Sequence, residues 1–345
     1  MPQIVEERLA SGLQPVRQFV LAQALYNFME IGIQGRIADL GSVNIETLAR
    51  DLGLNRDRLR GFLQYLSNER FVCLTDEDNV SLTSKGKEIS DFRPWYTLLI
   101  GGYAQTFIQL PSTLQADGPY ADRNSSRVAA GSCGISRYDA LPMTRRLLDK
   151  IPDKWRTIVD LGCGDGSYLV DLCLSIPGIR GVGLDPDPTS VEAALRTAAH
   201  YGISDRIDVR VGSANPLPDL SKEESPLCFI TAFVLQELLV QSGRAAVVEM
   251  LRSAFDLYPR TYWIVVEVDH RPKDESVMTS ALGLAYYNPY YLIHHITEQR
   301  LESVDFWEKL YQDAGLHVLA VEHPDPSYDS LGLKVGFLLT RETSI

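Results

Sequence analysis

The run "RTIVDLGCGDGSYLVDLCLSIP", residues 156–177, limits the fold more than any other stretch of the chain. A β-branched apolar segment passes into a turn carrying Gly162, Gly164 and Gly166, and an amphipathic helix follows. Glycines allow the backbone to turn tightly and to approach a ligand, and a helix N-terminus offers free N–H groups. The next apolar segment, "IRGVGLDPD", ends on Asp185, and a carboxylate at such a strand end commonly accepts the hydroxyls of a ribose. "RIDVRVGSANPLPD", "LCFITAFVLQELL" and "RTYWIVVEVDH" supply three more strands at regular intervals. Alternating strands and helices of this kind predict an α/β fold, a Rossmann-like doubly wound sheet over residues 151–345.

The turn is D-L-G-C-G-D-G, not the G-x-G-x-x-G of dinucleotide-binding dehydrogenases. Asp160 and Asp165 flank it; they would repel a pyrophosphate and suit an ammonium group.

Upstream, residues 44–86 read as helix, turn, helix and hairpin, a winged helix. Asn44 and Thr47 open the first helix, Gly53 breaks it, and Leu59, Phe62, Leu63 and Leu66 recur at helical spacing in the second. The expected divisions are a winged-helix dimerisation domain over 1–90, a helical connector or lid over 91–150, and the sheet domain beyond. Arg56, Arg58 and Arg60 would serve a DNA-binding reading. Asp51, Asp57 and Glu69 dilute them, and a formal net charge of −12 repels a phosphate backbone, so pairing with a second copy through the apolar face of residues 59–66 is the favoured expectation and nucleic acid is not. The 5 cysteines are scattered without a C-x-x-C, the start lacks a basic-then-apolar signal, and no apolar run reaches membrane-spanning length. A cytoplasmic location without membrane contact is expected.

With "VDLGCGDG" and Asp185 in place, residues 155–270 resemble the class I S-adenosylmethionine-dependent methyltransferases. The resemblance implies S-adenosylmethionine as cofactor, held by Asp160, Gly162, Gly164, Gly166, Asp185 and Ser213. The added winged helix is similar to that of small-molecule O-methyltransferases of secondary metabolism, whose N-terminal domains pair into homodimers. Those enzymes carry a His-Asp pair after the fourth strand; here the residues are Gln236 and Glu237, and a carboxamide cannot act as a general base. The C-terminal stretches "LAYYNPYYLIHHITEQRLESVDFWEKLYQDAGL" and "DSLGLKVGFLLTRE" are similar to a narrower group, the α-keto acid C-methyltransferases, most nearly those acting on 2-ketoarginine.

This narrower resemblance implies methylation at C3 of a 2-oxo acid through an enolate. The catalytic set would be Glu237, Gln236, His294 and His295. A divalent or trivalent metal, zinc or iron, would sit on His294, His295 and Glu237, although adjacent histidines on a helix point in different directions. Asp269 and His270, at the end of the fifth strand, are further candidates. Arg137 is the expected clamp for the substrate carboxylate. Trp95, Tyr103, Tyr286, Tyr287, Tyr290 and Tyr291 are available as aromatic walls. An O-methyltransferase and a winged-helix DNA-binding regulator remain as alternatives.

Overall fold

A computed structural model describes residues 2–217, 219–223 and 226–341. The chain separates into two compact units, Met1–Gly102 and Tyr103–Ile345.

In the first unit, helix Ile45–Leu52 is capped by the Asn44 side chain, which accepts from Glu46 N, and ends at Gly53, whose φ of 65° is left-handed. Helix Arg56–Asn68 follows in the same way from Asn55. Strands β1 (Ser42–Asn44), β2 (Val72–Leu74) and β3 (Asn79–Leu82) form an antiparallel sheet in the order β1-β3-β2. Leu59, Leu63 and Leu66 are buried in this unit's own core, so most of the apolar face expected to meet a partner is spent internally. A different apolar stripe lies open. Val5, Leu9, Leu13, Val16 and Phe19 follow one another at spacings of three and four along helices Pro2–Gly12 and Gln14–Glu30, and all are exposed. Two of the three arginines of a DNA reading are tied to acids: Arg56 pairs with Glu46, Asp57 and Asp78, and Arg60 with Asp78.

The second unit is a seven-stranded sheet made of β4 (Thr157–Leu161), β5 (Arg180–Asp185), β6 (Ile207–Val211), β7 (Leu227–Ala232), β8 (Thr261–Val268), β9 (His317–Glu322) and β10 (Lys334–Thr340). The order is β6-β5-β4-β7-β8-β10-β9; the first five are parallel, and β10 is antiparallel to both its neighbours. Near-continuous apolar runs explain why β4 and β8 are buried at every position. Helices Ala140–Leu148, Ser167–Ser175 and Pro188–His200 cover one face, while Gly243–Leu257 and Val304–Asp313 cover the other. The chain runs outward from β4 through β5 to β6, then returns to β7 on the opposite side. That reversal leaves a crevice at the carboxyl ends of β4 and β7, where open α/β sheets bind their ligands.

Two local features aim residues into this end of the sheet. Phe233, just after β7, has a φ of 61°, and helix Leu235–Gln241 starts from that bend. A π-helical turn over Gly283–Tyr287 runs directly into helix Asn288–Ile296, in which Pro289 follows the first residue.

Candidate active site

The cofactor end is built by the glycine turn. Gly162 N and Cys163 N both donate to Leu184 O, at 2.7 and 3.0 Å, locking the turn onto the end of β5. Gly162 has a φ of 85°, and a Cβ there would lie 2.6 Å from Val234 Cγ2; Gly166, φ 72°, would put its Cβ 2.7 Å from Ala194 Cβ. Any side chain would fill the cradle. Asp185 is buried and accepts from Gly164 N at 2.9 Å and from Asp187 N at 3.0 Å, which aims its carboxylate across the turn. Asp165 accepts from Ser167 N at 3.0 Å, which ties its Oδ1 to the first turn of the following helix. Ser213 Oγ accepts from Asn215 N at 3.2 Å, two residues beyond β6.

Asp160 carries the electrostatics. It is 3% exposed at the end of β4, and burial, then the nearby Asp185, push it up to about 7. Two acids held close together in a dry crevice favour a cationic guest. S-adenosylmethionine, with its ammonium and sulfonium groups and a ribose within reach of Asp185, fits this donor set.

The candidate catalytic residues cluster around helix Leu235–Gln241. Glu267 Oε1, on β8, accepts from Leu235 N at 3.0 Å and fixes the start of that helix. Burial pushes the Glu267 carboxyl up to about 8, against the opposing Leu235 and Gln236 N–H groups. Gln236 and His294 are both buried and meet nitrogen to nitrogen, Nε2 to Nε2, at 3.3 Å. His294 Nδ1 lies 2.7 Å from Tyr290 O, and a carbonyl can only accept, so Nδ1 carries the proton. Nε2 then accepts from the Gln236 amide, and Gln236 Oε1 is left buried without a partner. Burial, the largest influence, pushes His294 down to about 3, so it is a neutral hydrogen-bonding group and a poor proton acceptor.

Glu237 belongs to a second polar group. Its Oε1 accepts from Arg123 Nη2 at 2.7 Å and from Gln299 Nε2 at 3.1 Å, while Tyr103 donates to Gln299 Oε1 at 3.2 Å. Arg123 Nη1 is buried and has no partner. Arg123 sits just before the Asn124 cap of helix Ser125–Ser136, in sequence with no periodic signal, and reaches an acid far along the chain.

Several expectations change here. Arg137 does not reach this cluster: its side chain is half exposed and its Nε lies 3.2 Å from Asp171, so Arg123 is the arginine that meets Glu237. His295 is exposed and packs edge-on against His270, with ring centroids 5.4 Å apart, so it does not join His294 or Glu237. The expected metal set is therefore not assembled. Among the described residues no three His, Cys, Asp or Glu side chains gather where they could hold a metal ion. Asp269 holds Arg271 and accepts from Val304 N, a structural role. Tyr286, Tyr287, Tyr290 and Tyr291 are all buried in the second unit, whereas Trp95 belongs to helix Arg93–Tyr96 of the first. Lys334, at the start of β10, was not foreseen: it is buried against Asp139 with its ammonium 5.3 Å from the Tyr286 ring centre. Burial opposes that charge, yet Asp139 and Tyr286 hold it above its ordinary value.

Beside the two polar groups lies a cavity of about 360 Å³. His294 and Gln299 line it on the side of Gln236 and Glu237, and His270, Tyr291, Arg300 and Glu302 are among its other walls.

Residues 158–254 match a family model described as a methyltransferase domain. Among solved structures, mitomycin 7-O-methyltransferase superposes with a TM-score of 0.65 at 18% identity, covering 99% of each chain. An O-methyltransferase from neocarzinostatin biosynthesis, solved with S-adenosylmethionine, gives 0.58 at 17% identity, covering 93% of this chain and 96% of that one. At that distance the likeness concerns the fold. The chain belongs to the class I S-adenosylmethionine-dependent methyltransferases. Within them it is 46% identical over 337 residues to the 2-ketoarginine methyltransferase of Streptomyces arginensis, covering 97% of each chain.

Proposed function

We propose that the protein transfers the methyl group of S-adenosylmethionine to C3 of 2-ketoarginine through an enolate. The 46% identity to 2-ketoarginine methyltransferase carries the choice of substrate. The side chains support the position and manner of transfer that the resemblance implies. The O-methyltransferases carry a basic histidine at the Gln236 position, and here neither Gln236 nor His294, which burial pushes down to about 3, supplies one. An α-carbon acceptor needs different help: an anchor for the carboxylate, a hydrogen-bonded enol oxygen and a carboxylate to take the C3 proton.

Arg123 offers its free Nη1 to the substrate carboxylate, with Glu237 holding the guanidinium in place. Gln236 is oriented by His294 so that its bare Oε1 accepts from the enol O–H. Glu237 Oε2 takes the C3 proton, Oε1 being occupied by Arg123 and Gln299. The bound cofactor supplies an electrophilic methyl on a positively charged sulfur. The C3–methyl bond forms as the sulfur–methyl bond breaks, and the sulfur keeps the electron pair. The C2 oxygen of the enolate takes a proton from water, holds it against Gln236 Oε1 as the enol, and returns it to water as the C2 carbonyl re-forms; the sulfonium charge leaves with that proton, and the C3 proton passes from Glu237 to solvent afterwards.

We infer further that the protein works as a homodimer in the cytoplasm. The exposed stripe Val5, Leu9, Leu13, Val16 and Phe19 supports the dimer, and 5 free cysteines suit a reducing compartment.

The test supplies S-adenosylmethionine with 2-ketoarginine, phenylpyruvate, 4-methyl-2-oxopentanoate or catechol, with and without a chelator, and locates the methyl group by NMR. The expected result is preferential methylation of 2-ketoarginine at C3, unaffected by chelation, with a large rise in KM for Arg123→Gln and little change for Arg137→Gln. Methylation of catechol alone would return the protein to the O-methyltransferases, and loss of turnover on chelation would overturn the metal-free scheme.

A further inference from the structure

We propose that the cavity beside His294 is a guanidinium subsite, in which Glu302 and the ring faces of His270 and Tyr291 receive the charged tail of the substrate. This rests on the proposed 2-ketoarginine activity and specifies how that substrate is told apart from other 2-oxo acids.

The cavity adjoins the reacting groups. His294 and Gln299 line it, and the same two side chains bond Gln236 and Glu237. A substrate anchored by its carboxylate at Arg123 can therefore extend its three-carbon tail past these residues. The far walls suit a planar cation. His270 stands edge-on to Tyr291, with centroids 4.8 Å apart at 87°, and to His295, at 5.4 Å and 63°, so the rings present both faces and edges. A guanidinium stacks on such faces and donates in plane to acceptors around it.

The acceptors are present. Glu302 is partly buried, with its side chain 18% exposed, and lies on the cavity wall. His270 Nε2 is buried and unpartnered, and burial followed by the nearby His295 holds His270 below its ordinary value, so the ring stays neutral and can accept. An unpartnered buried nitrogen is costly until a ligand N–H meets it.

The protein also displays the contact with one of its own side chains. Arg300 Nη2 lies 2.6 Å from Glu302 Oε1, and Arg300 is itself a lining residue. Its side chain is 60% exposed, so it can withdraw to solvent when a second guanidinium enters. The opposite orientation, with Arg300 gripping the substrate carboxylate, would set that anion beside Glu302.

The experiment compares 2-ketoarginine with 5-ureido-2-oxopentanoate, a neutral analogue of nearly the same shape, in wild type, Glu302→Gln and Arg300→Gln. Calorimetry with 5-guanidinopentanoate, which lacks the keto group, measures tail binding without catalysis. A charge-assisted contact of this kind predicts a ten- to hundredfold fall in kcat/KM for 2-ketoarginine in Glu302→Gln, and less than threefold for the ureido acid. Arg300→Gln should lower KM for 2-ketoarginine, and Glu302→Gln should weaken 5-guanidinopentanoate by the same factor as it lowers kcat/KM. The inference is overturned by an equal loss on both substrates, or by a rise in KM for both in Arg300→Gln, which would assign the cavity to the carboxylate end. Unchanged melting temperature and S-adenosylmethionine affinity in Glu302→Gln exclude misfolding; only the backbone of residue 302 holds His270 N, at 3.2 Å. If wild type methylates neither acid, the proposed activity fails by itself. In that case 5-guanidinopentanoate binding that weakens in Glu302→Gln still upholds the subsite, and absence of binding removes it.

Discussion

Asp160 should couple cofactor binding to pH. In the free protein its carboxyl is held at about 7 by burial and by Asp185, so near neutrality it is about half protonated. A cationic cofactor beside it favours the ionised form and lowers that value. Binding must then release a proton. If the bound value falls well below 6, the free protein at pH 6 must first lose a proton that it has mostly lost at pH 8. Affinity is therefore about tenfold weaker at pH 6 than at pH 8, or ~1.4 kcal/mol. The stability of the free protein runs the other way. A carboxyl raised from 3.8 to about 7 on folding contributes stability below 3.8 that is lost progressively as pH climbs to about 7. Isothermal titration calorimetry at pH 7, in buffers of different ionisation enthalpy, should count about half a proton released per cofactor bound. Asp160→Asn should bind with no proton release and a flat pH dependence between 6 and 8. The reasoning is refuted if wild type releases no proton near pH 7, or if Asp160→Asn keeps the wild-type dependence.

Glu267→Gln should gain stability over wild type at a rate of roughly 1.4 kcal/mol per pH unit as pH rises from 4.5 towards about 8, with the gap constant above; melting temperatures across that range check it. Gly162→Ala should lose roughly 1–3 kcal/mol of stability and most cofactor affinity, because the new Cβ meets Val234 at 2.6 Å with φ at 85°; denaturant titration and calorimetry read both. The double change Leu9→Glu with Val16→Glu should convert a dimer to a monomer in light scattering, and an unaltered dimer would remove the stripe from the interface.

The sheet and its cofactor turn were legible because their determinants are local. An apolar strand, three glycines and a helix occupy one short run, and Asp185 closes the next strand, so spacing alone aligns them. The catalytic end was legible only in part. Gln236, Glu237 and His294 stand out as residue types, but Arg123 meets Glu237 and Lys334 meets Asp139 across long stretches of chain, and such pairings follow from topology. Arg137 was a reasonable clamp by position, yet helix Ser125–Ser136 ends at that residue and points it at Asp171. In the first unit the spacing of Leu59, Leu63 and Leu66 correctly marks an apolar face; periodicity does not say whether that face meets its own core or another molecule.

The π turn over Gly283–Tyr287 sets the phase of everything after it. Such a turn holds one residue more than an α-helical turn, so the following helix is rotated by about 100° from the course a regular helix would take. The next residues come in pairs four apart: Tyr286 with Tyr287, Tyr290 with Tyr291, His294 with His295. Deleting the extra residue of the turn would regularise the helix and leave the residues after it in their present phase. Closing the turn into a regular helix without a deletion would instead turn every later side chain by about 100°, taking His294 away from Gln236 and Tyr291 away from the Asp269 carbonyl. The contacts of this helix would thus survive excision of the extra residue but not its straightening, which makes the irregular turn a phase setter for the whole inner face.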